Sequence, residues 1–163
     1  MSENVVMRWN EDAGIADAAA FAAEVIGAAP EYISHGEIQT GLSDDGESWV
    51  PGLAGLFASD FANRGDRDLL VVRHGADVVG LLVVAFETGE RRTFAVIEDM
   101  AVAPALRSQG LGSRILREAM DRIKARSVEW VFLESGLRNH EAHAFFEREG
   151  FTMTSHVFAR RIV

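Results

Sequence analysis

Three apolar, β-branched runs that follow one another closely place the strongest constraint on how this chain folds. They occupy residues 69–73, 78–86 and 93–103, and only the short turn at 74–77 separates the first two. This spacing is typical of a β-hairpin, and Pro104 marks the end of the third run because proline cannot donate a ladder hydrogen bond. The sequence therefore predicts an antiparallel meander of three strands.

Periodic apolar residues predict helices and further strands on both sides of this meander. In the helices, apolar side chains recur every three or four residues and so line one face. Asn10 as an N-cap, Gly27 as a stop and Pro51 in a first turn mark helix boundaries. The elements predicted in this way are a strand at 4–9, helices at about 10–27, 49–63, 110–126 and 139–149, and strands at 128–134 and 151–161.

These elements predict an α/β fold, more narrowly an α+β mixed sheet, with the order β-α-α-β-β-β-α-β-α-β and helices on both faces. The chain has 163 residues, the usual size of one domain, so residues 1–163 are expected to form a single domain. A strand–helix–strand passage joins 93–103 to 128–134. Since such crossovers connect parallel strands, these two strands are expected to pair in parallel.

Composition excludes several classes of function. The formal net charge of −9, from 25 acidic and 16 basic residues, would repel a nucleic-acid backbone. The absence of cysteine excludes disulfides, thiolate zinc sites and a cysteine that carries an acyl group. The histidines show no paired spacing typical of a metal site. Because no signal-peptide pattern is present and no apolar run reaches the roughly 20 residues that span a bilayer, we expect a cytoplasmic protein without a membrane partner.

A turn with two glycines joins the third run of the meander to the helix at 110–126. Residues 107–113 are Arg-Ser-Gln-Gly-Leu-Gly-Ser. A helix N-terminus attracts anions through its unpaired N–H groups and its dipole, and glycines let an anion approach the backbone closely. The turn is therefore a candidate phosphate or pyrophosphate site, and the alternative is a helix start that happens to contain two glycines.

Two familiar phosphate sites fit this turn poorly. A triphosphate-binding loop requires a lysine after the second glycine, and none follows Gly112. A dinucleotide turn requires a third glycine or an alanine where Ile115 stands, and it normally follows the first strand of its unit.

The surroundings of the turn resemble a known family. The run Val102-x-Pro104-x-x-Arg107-x-x-Gly110-x-Gly112 is similar to the Arg/Gln-x-x-Gly-x-Gly/Ala signature of the GNAT superfamily of N-acetyltransferases. A second run, Asn139-x-x-Ala142-x-x-Phe145-Phe146-x-x-x-Gly150-Phe151, is similar to the family's Asn-x-x-Ala-x-x-Phe-Tyr-x-x-x-Gly-Phe. The resemblance covers about residues 94–158, and the amino-terminal third matches only in the order of its elements.

The resemblance implies that the chain binds acetyl-CoA. In the family, backbone amides of the glycine turn hold the pyrophosphate, and here these amides belong to Arg107, Ser108, Gln109, Gly110, Leu111, Gly112 and Ser113. The pantetheine arm pairs with backbone groups of the preceding strand, which here are Met100, Ala101 and Val102. The Val102 N–H is implied as the donor that polarises the thioester carbonyl. Asn139 and Phe146 are implied as further cofactor contacts.

Two adjacent carboxylates lie on the strand that leads to the turn. Acyl transfer to an amine needs a base, because an ammonium has no lone pair with which to attack. Strand alternation places Glu98 and Asp99 on opposite faces, unless a bulge changes their directions. The run from Ile97 to Val102 resembles the Leu-Glu-Asp-x-x-Val of polyamine and diamine acetyltransferases, which implies Glu98 as the base. The alternative is that Glu98 only binds the substrate cation or pairs with a neighbouring arginine.

The sequence departs from the family at one position. Phe146 stands where the family has the tyrosine that reprotonates the leaving thiolate. Water, His140 or His143 is expected to replace that tyrosine, or the thiolate leaves unaided.

An acidic segment at residues 31–48 contains no lysine or arginine and is expected to form a long, mobile loop. The family places acceptor-binding elements there, so Tyr32, Glu37 and Trp49 are expected to contact the acceptor. An acidic wall would attract a cationic substrate, and the alternative is a solvated surface loop.

Together these features predict an acetyl-CoA-dependent N-acetyltransferase that acts on the primary amine of a small, cationic acceptor by direct attack in a ternary complex. The alternatives are a non-catalytic acyl-CoA-binding sensor or regulatory module and a protein N-acetyltransferase. The resemblance also leaves a homodimer open, since the last strand is a common place for members of the family to dimerise.

Overall fold

The computed structural model describes residues 4–163, which divide into two compact units. The first unit contains residues 4–28 and Gly52–Leu133, and the second contains Ala29–Pro51 and Glu134–Val163. The expectation of one domain over residues 1–163 stays a prediction.

The first unit is built on a five-stranded sheet with the spatial order β1-β2-β3-β4-β5. The first four strands pair antiparallel and β5 pairs with β4 in parallel, which confirms the predicted meander, the crossover and the mixed α/β class. The strands are β1 (Val5–Trp9), β2 (Arg67–His74), β3 (Asp77–Thr88), β4 (Thr93–Val102) and β5 (Val131–Leu133).

Helices cover both faces of this sheet, as predicted. In chain order the helices are α1 (Ile15–Val25), α2 (His35–Gln39), α3 (Leu53–Ala62), α4 (Leu111–Ala125) and α5 (His140–Arg148), of which α2 and α5 belong to the second unit. Arg67 of β2 bonds to α3, whereas its neighbour Asp68 bonds to α4. Because successive side chains of a strand point to opposite faces, α3 and α4 lie on opposite faces. None of the helices within residues 4–163 is long and apolar enough to cross a membrane.

The core of the first unit lies along the two central strands. Residues 69–72 of β2 and 81–86 of β3 are buried without interruption, the pattern of strands covered on both faces. Gly80 allows α4 to approach this core closely, because a Cβ at that position would lie 2.7 Å from the Cδ1 of Ile115. The sheet thereby determines the position of α4.

The start of α1 differs from the prediction, because Asn10 is not its N-cap. Asn10 has φ 57°, and its side chain accepts a hydrogen bond from the N–H of Leu69 at 2.8 Å and donates one to Asp68 at 2.9 Å. Burial alone would raise the pKa of Asp68, but the hydrogen bonds from Arg122 and Asn10 and the charges of Arg122 and Arg126 outweigh it and lower that pKa. The hydrogen bonds of Asn10 therefore connect the end of β1 to β2, and α1 begins only at Ile15.

The acidic segment of the second unit contains regular structure, so the prediction of one long loop at 31–48 is wrong in part. Ser34 and Glu37 form a capping box at the start of α2. The Ser34 hydroxyl accepts from the N–H of Gly36 at 3.3 Å, and the Glu37 carboxylate accepts from the N–H of Ser34 at 2.8 Å. The signal was present as Ser-x-x-Glu, but the segment lacks the apolar period that would have marked a helix.

A tight turn in the same segment is organised by Asp45. Its carboxylate accepts hydrogen bonds from the N–H groups of Glu47 and Ser48 at 2.8 and 2.9 Å. These two backbone bonds, the hydroxyl of Ser48 and that of Ser43 lower the pKa of Asp45 to about 2. Both Glu37 and Asp45 thus stabilise the backbone of their own segment.

Two strand predictions in the carboxyl-terminal part of the chain require correction. The strand expected at 128–134 is limited to Val131–Leu133. The strand expected at 151–161 is wrong, because residues 151–163 form no regular element. Strand propensity stabilises a chain only where a ladder and burial accompany it, and here Phe158 is 93% exposed.

One glycine of the second unit provides a test of its packing. A Cβ at Gly136 would overlap the carbonyl oxygen of Glu31 and lie 2.8 Å from that of Ile33, so backbone would have to move. We expect Gly136→Ala to lower the free energy of unfolding by about 2 kcal/mol, measured by urea denaturation. Gly55→Ala is the control: it has open space in α3 and should raise the stability by about 0.5–1 kcal/mol. Equal effects of the two changes would contradict this packing.

Candidate active site

The glycine turn of the first unit joins β4 to α4, as the sequence predicts. After β4 the chain forms a short 3-10 turn at Pro104–Leu106 and then enters the left-handed region twice, at Ser108 with φ 64° and at Gly110 with φ 82°. Gly110 is the N-cap of α4 and, as a glycine, has no side chain with which to cap the helix. A left-handed N-cap is inexpensive for glycine and costly for other residues, which explains Gly110.

The amino end of α4 presents backbone donors to its surroundings. The N–H groups of Leu111 and Gly112 precede the first bond of the helix, which runs from the Arg114 N–H to the Gly110 carbonyl at 3.1 Å. The first turn of α4 contains no acidic residue, and residues 107–110 are exposed. Because the positive end of a helix dipole points in the same direction as these amides, the turn has the features of an anion receptor.

The strand that leads to the turn loses its ladder partner on one side after Ile97. The parallel ladder between β4 and β5 pairs Ala95–Ile97 with Val131–Leu133 and ends there. Ala103 donates its N–H to Val79 of β3 at 2.8 Å. Since successive N–H groups of a strand point to opposite edges, the N–H of Val102 points away from β3, toward the side where the ladder with β5 has ended.

A β-bulge at Glu98 explains how the two adjacent carboxylates are directed. The ladder with β3 pairs Ile97 with Val84 but Asp99 with Val83, so Glu98 is an extra residue in β4. The simple alternation expected for Glu98 and Asp99 is therefore interrupted. The side chain of Glu98 reaches the α3 face of the sheet, where it meets Arg67.

Arg67 connects Glu98 to α3. Its Nη1 lies 3.1 Å from Glu98 Oε1 and 3.0 and 3.1 Å from the two carboxylate oxygens of Asp60. Its Nε donates to the carbonyl of Arg64 at 2.7 Å, and its Nη2 donates to the carbonyls of Asp60 and Asn63 at 3.0 and 2.9 Å. One guanidinium therefore donates hydrogen bonds to the backbone carbonyls at the carboxyl end of α3 and also to one oxygen of Glu98.

The charges around Arg67 favour a cation nearby. Burial alone would lower the pKa of Arg67, but the hydrogen bonds and charges of Asp60 and Glu98 outweigh it and raise the pKa above its ordinary value. Two carboxylates surround one guanidinium, which leaves one net negative charge. The Glu98 side chain is 35% exposed, so it remains accessible while Arg67, at 18%, is largely covered.

The residues predicted in the second unit have local partners there. The side chain of Asn139 caps α5 by accepting a hydrogen bond from the N–H of Ala142 at 3.4 Å. The ring of Phe146 packs against the ring of Phe151, with the two ring centroids 5.8 Å apart. The Nε2 of His143 lies 2.9 Å from the carbonyl of Gly136 and is thereby occupied. Asn139 and Phe146 as cofactor contacts stay predictions.

The expected acceptor contacts also lie in the second unit. The ring of Tyr32 lies 6.1 Å from that of Trp49, and the indole N–H of Trp49 is buried without a hydrogen-bond partner among residues 4–163. Glu37 belongs to the capping box of α2. Acceptor binding by Tyr32 and Glu37 stays a prediction. Among residues 4–163, no group of three or more histidine, aspartate or glutamate side chains is arranged so that it could hold a metal ion.

Comparison with known proteins establishes the family. The model of the Acetyltransferase (GNAT) family matches residues 37–151, more than half of the chain. The chain therefore belongs to the GNAT family of acetyltransferases.

Relatives and solved structures agree with this assignment. The aminoalkylphosphonate N-acetyltransferase of Salmonella typhimurium is 26% identical over 108 residues, which cover 65% of this chain and 70% of that protein. A transcriptional regulator from Bacillus halodurans has the same fold with a TM-score of 0.72 at 21% identity, over 97% of this chain and 99% of the other. An aminoglycoside acetyltransferase from an uncultured soil metagenomic sample superposes with a TM-score of 0.65 at 14% identity, over 98% and 96% of the two chains.

Sequence reasoning did not find Arg67 and Asp60. They lie on β2 and α3, and Arg67 is separated from Glu98 by 31 positions, so no local spacing connects the three residues. The available signal was an arginine at the start of an apolar strand, which by itself is typical of an exposed strand end.

The contacts of Arg67 predict a loss of stability on its replacement. Arg67→Met would leave two carboxylates and three carbonyls without their shared donor, and we expect the free energy of unfolding to fall by about 2 kcal/mol. Arg107→Met is the control, because Arg107 is exposed and makes one long bond, 3.4 Å, to the Val102 carbonyl; it should change stability by less than about 0.5 kcal/mol. Urea denaturation of both variants measures the difference, and a loss no larger than that of Arg107→Met would contradict the role of Arg67.

Proposed function

We propose that this protein is an acetyl-CoA-dependent N-acetyltransferase that acts on the primary amine of a small, cationic acceptor. The observation that carries the proposal is the succession, within the first unit, of the part of β4 beyond its ladder with β5 and the exposed turn at residues 107–110 that leads into the amino end of α4. The first can pair with an extended amide-containing arm, and the second can hold a pyrophosphate.

The residues present fit coenzyme A. Backbone amides of Arg107–Ser113 would hold the pyrophosphate, and the edge of β4 from Met100 to Val102 would pair with the pantetheine arm. The absence of acidic residues from the first turn of α4 removes a source of repulsion. Acetyl-CoA would supply an acetyl group activated as a thioester.

Glu98 and Val102 have distinct roles in this proposal. Glu98 accepts the proton of the acceptor ammonium, directly or through a water, and so provides the amine with a lone pair. The Val102 N–H donates a hydrogen bond to the carbonyl oxygen on which negative charge develops. Arg67 holds Oε1 of Glu98 at 3.1 Å and so orients the carboxylate, and it is a positioning residue.

The outcome of the transfer balances without a further catalytic group. The new C–N bond forms as the C–S bond breaks, and the nitrogen loses two protons in all. Glu98 accepts the first and returns it to solvent, and the second is lost to water as the amide forms. Phe146 cannot donate a proton, so we propose that water protonates the leaving thiolate.

The acceptor is proposed to be a cation of low molecular weight. The carboxylates of Asp60 and Glu98 outnumber the guanidinium of Arg67, and the chain carries a formal charge of −9. The names of two similar proteins refer to small amines, an aminoalkylphosphonate and an aminoglycoside. Thiol release from acetyl-CoA across polyamines, aminoglycosides, amino acids and lysine peptides tests this proposal, and release with the lysine peptides alone would instead favour a protein N-acetyltransferase.

The alternative is a non-catalytic acyl-CoA-binding module, which the replacement of the family's tyrosine by Phe146 favours. Such a module would bind acetyl-CoA but release no thiol with any amine of the panel. The position of Glu98 directly after the end of the ladder between β4 and β5 favours the enzyme.

The glycine turn generates a prediction about cofactor binding. Gly112→Glu would place a carboxylate at the amides that are proposed to hold the pyrophosphate, and we expect it to weaken coenzyme A binding by about tenfold or more in calorimetric titration. Gly55→Glu adds the same charge to α3 and should change the affinity by less than about twofold. Tight binding by the Gly112 variant would show that the turn does not hold the cofactor.

The proposed base generates a second prediction. Glu98→Gln should lower kcat about 100-fold at neutral pH and leave coenzyme A binding unchanged. The loss of kcat should become smaller as the pH rises toward the pKa of the acceptor amine, because more of the amine is then already neutral and needs no base to remove its proton. Asp60→Asn is the matched control, since Asp60 is the other carboxylate on Arg67. An equal loss of kcat in both variants would indicate that the charge around Arg67 matters and that Glu98 is not the base.

A further inference from the structure

Three aromatic side chains form an exposed cluster at the outer edge of the sheet in the first unit. The ring of Phe132 stacks on that of Trp130 with centroids 6.1 Å apart, and it meets the ring of Phe94 edge to face at 5.8 Å. Trp130 is 49% exposed and Phe132 is 43% exposed. Residues Phe94, Trp130 and Phe132 are called the ring cluster below.

The ladder register places the ring cluster on the same face as Glu98. Arg67 pairs with Ala85, Ala85 with Val96, and Val96 with Phe132. Side chains of directly paired residues point to one face, so Phe132 and Arg67 share the face on which α3 lies. Glu98 reaches that face too, because it bonds to Arg67.

Phe132 is the member of the ring cluster that lies close to Glu98 along the strands, and Phe94 and Trp130 each lie two residues farther away along their own strands. Phe132 stands beside Val96, and Glu98 follows Val96 by two residues, which is about 7 Å along a strand. Long and aromatic side chains reach their diagonal neighbours over this distance. An exposed apolar surface therefore adjoins an accessible carboxylate.

We propose that the ring cluster binds the carbon skeleton of the acceptor while the amine of that acceptor lies at Glu98. The inference rests on the proposed function and specifies its substrate class: a primary amine on a flat, apolar skeleton, such as an arylalkylamine. The aromatic faces favour offset or edge-to-face contact with a ring, and they attract an ammonium through the ring quadrupole.

The charges around Arg67 decide which amines are excluded. Two carboxylates around one guanidinium disfavour an anionic group on the acceptor. An aminoalkylphosphonate carries such a group, so this chain should differ in specificity from the relative that is named for it.

A comparison of three amines tests the inference. With acetyl-CoA saturating, thiol release should give a kcat/KM for 2-phenylethylamine at least about tenfold above that for butylamine, with 2-aminoethylphosphonate the poorest. Trp130→Ala and Phe132→Leu, which keeps an apolar side chain but removes the ring, should each reduce the phenyl-to-butyl ratio about fivefold. Phe158→Ala removes an aromatic side chain that is 93% exposed and lies in the second unit, and it should leave the ratio unchanged.

A binding measurement separates this inference from the proposed function. Calorimetric titration of 2-phenylethylamine and butylamine into protein saturated with coenzyme A measures the preference without any transfer. If no amine releases thiol but the binding preference is present and depends on Trp130, the ring cluster is a ligand site and the proposed enzymatic function is wrong.

Two results would overturn the inference. One is an equal kcat/KM and an equal affinity for 2-phenylethylamine and butylamine in the unmodified protein. The other is a dimer in sedimentation velocity that Trp130→Ala dissociates, since the ring cluster would then lie in an interface between two copies of the chain.

Discussion

The short ladder between β4 and β5 is the constraint on which the candidate site depends. Only three residues of β5 pair with β4, so the strand loses its neighbour after Ile97. The bulge at Glu98 begins at the same point, and the N–H of Val102 is directed to the edge on which the ladder with β5 has ended. A fully paired β4 would use these backbone groups within the sheet, and no strand edge would be available to an extended ligand.

Different elements pack on the two faces of the sheet near the end of this ladder. On one face, Gly80 lets α4 approach closely, and the amino end of α4 follows β4 through the glycine turn. On the other face, Arg67 bonds both to the end of α3 and to Glu98. Helix α4 and the carboxylates of Asp60 and Glu98 therefore lie on opposite faces of the sheet, an arrangement in which the proposed phosphate-bearing donor and the proposed cationic acceptor would approach β4 from different sides.

The structure shows that the acidic residues of the chain have different local roles. In the second unit, Glu37 and Asp45 stabilise a helix start and a turn. In the first unit, the carboxylate of Asp68 accepts hydrogen bonds from Arg122 and Asn10. Net charge alone predicted an attraction for cations, but only the contacts show that Asp60 and Glu98 lie together on the α3 face of the sheet.

The sequence by itself determined the meander, the amphipathic α4, the glycine turn and the family, because each of these depends on residues that are close together in the chain. The tertiary structure decided the rest. The bulge at Glu98 depends on the register with β3, the partner of Glu98 lies on β2, and the ring cluster joins β4 to β5. The strand expected at 151–161 failed for the same reason, since strand propensity is local whereas a ladder needs a partner from elsewhere in the chain.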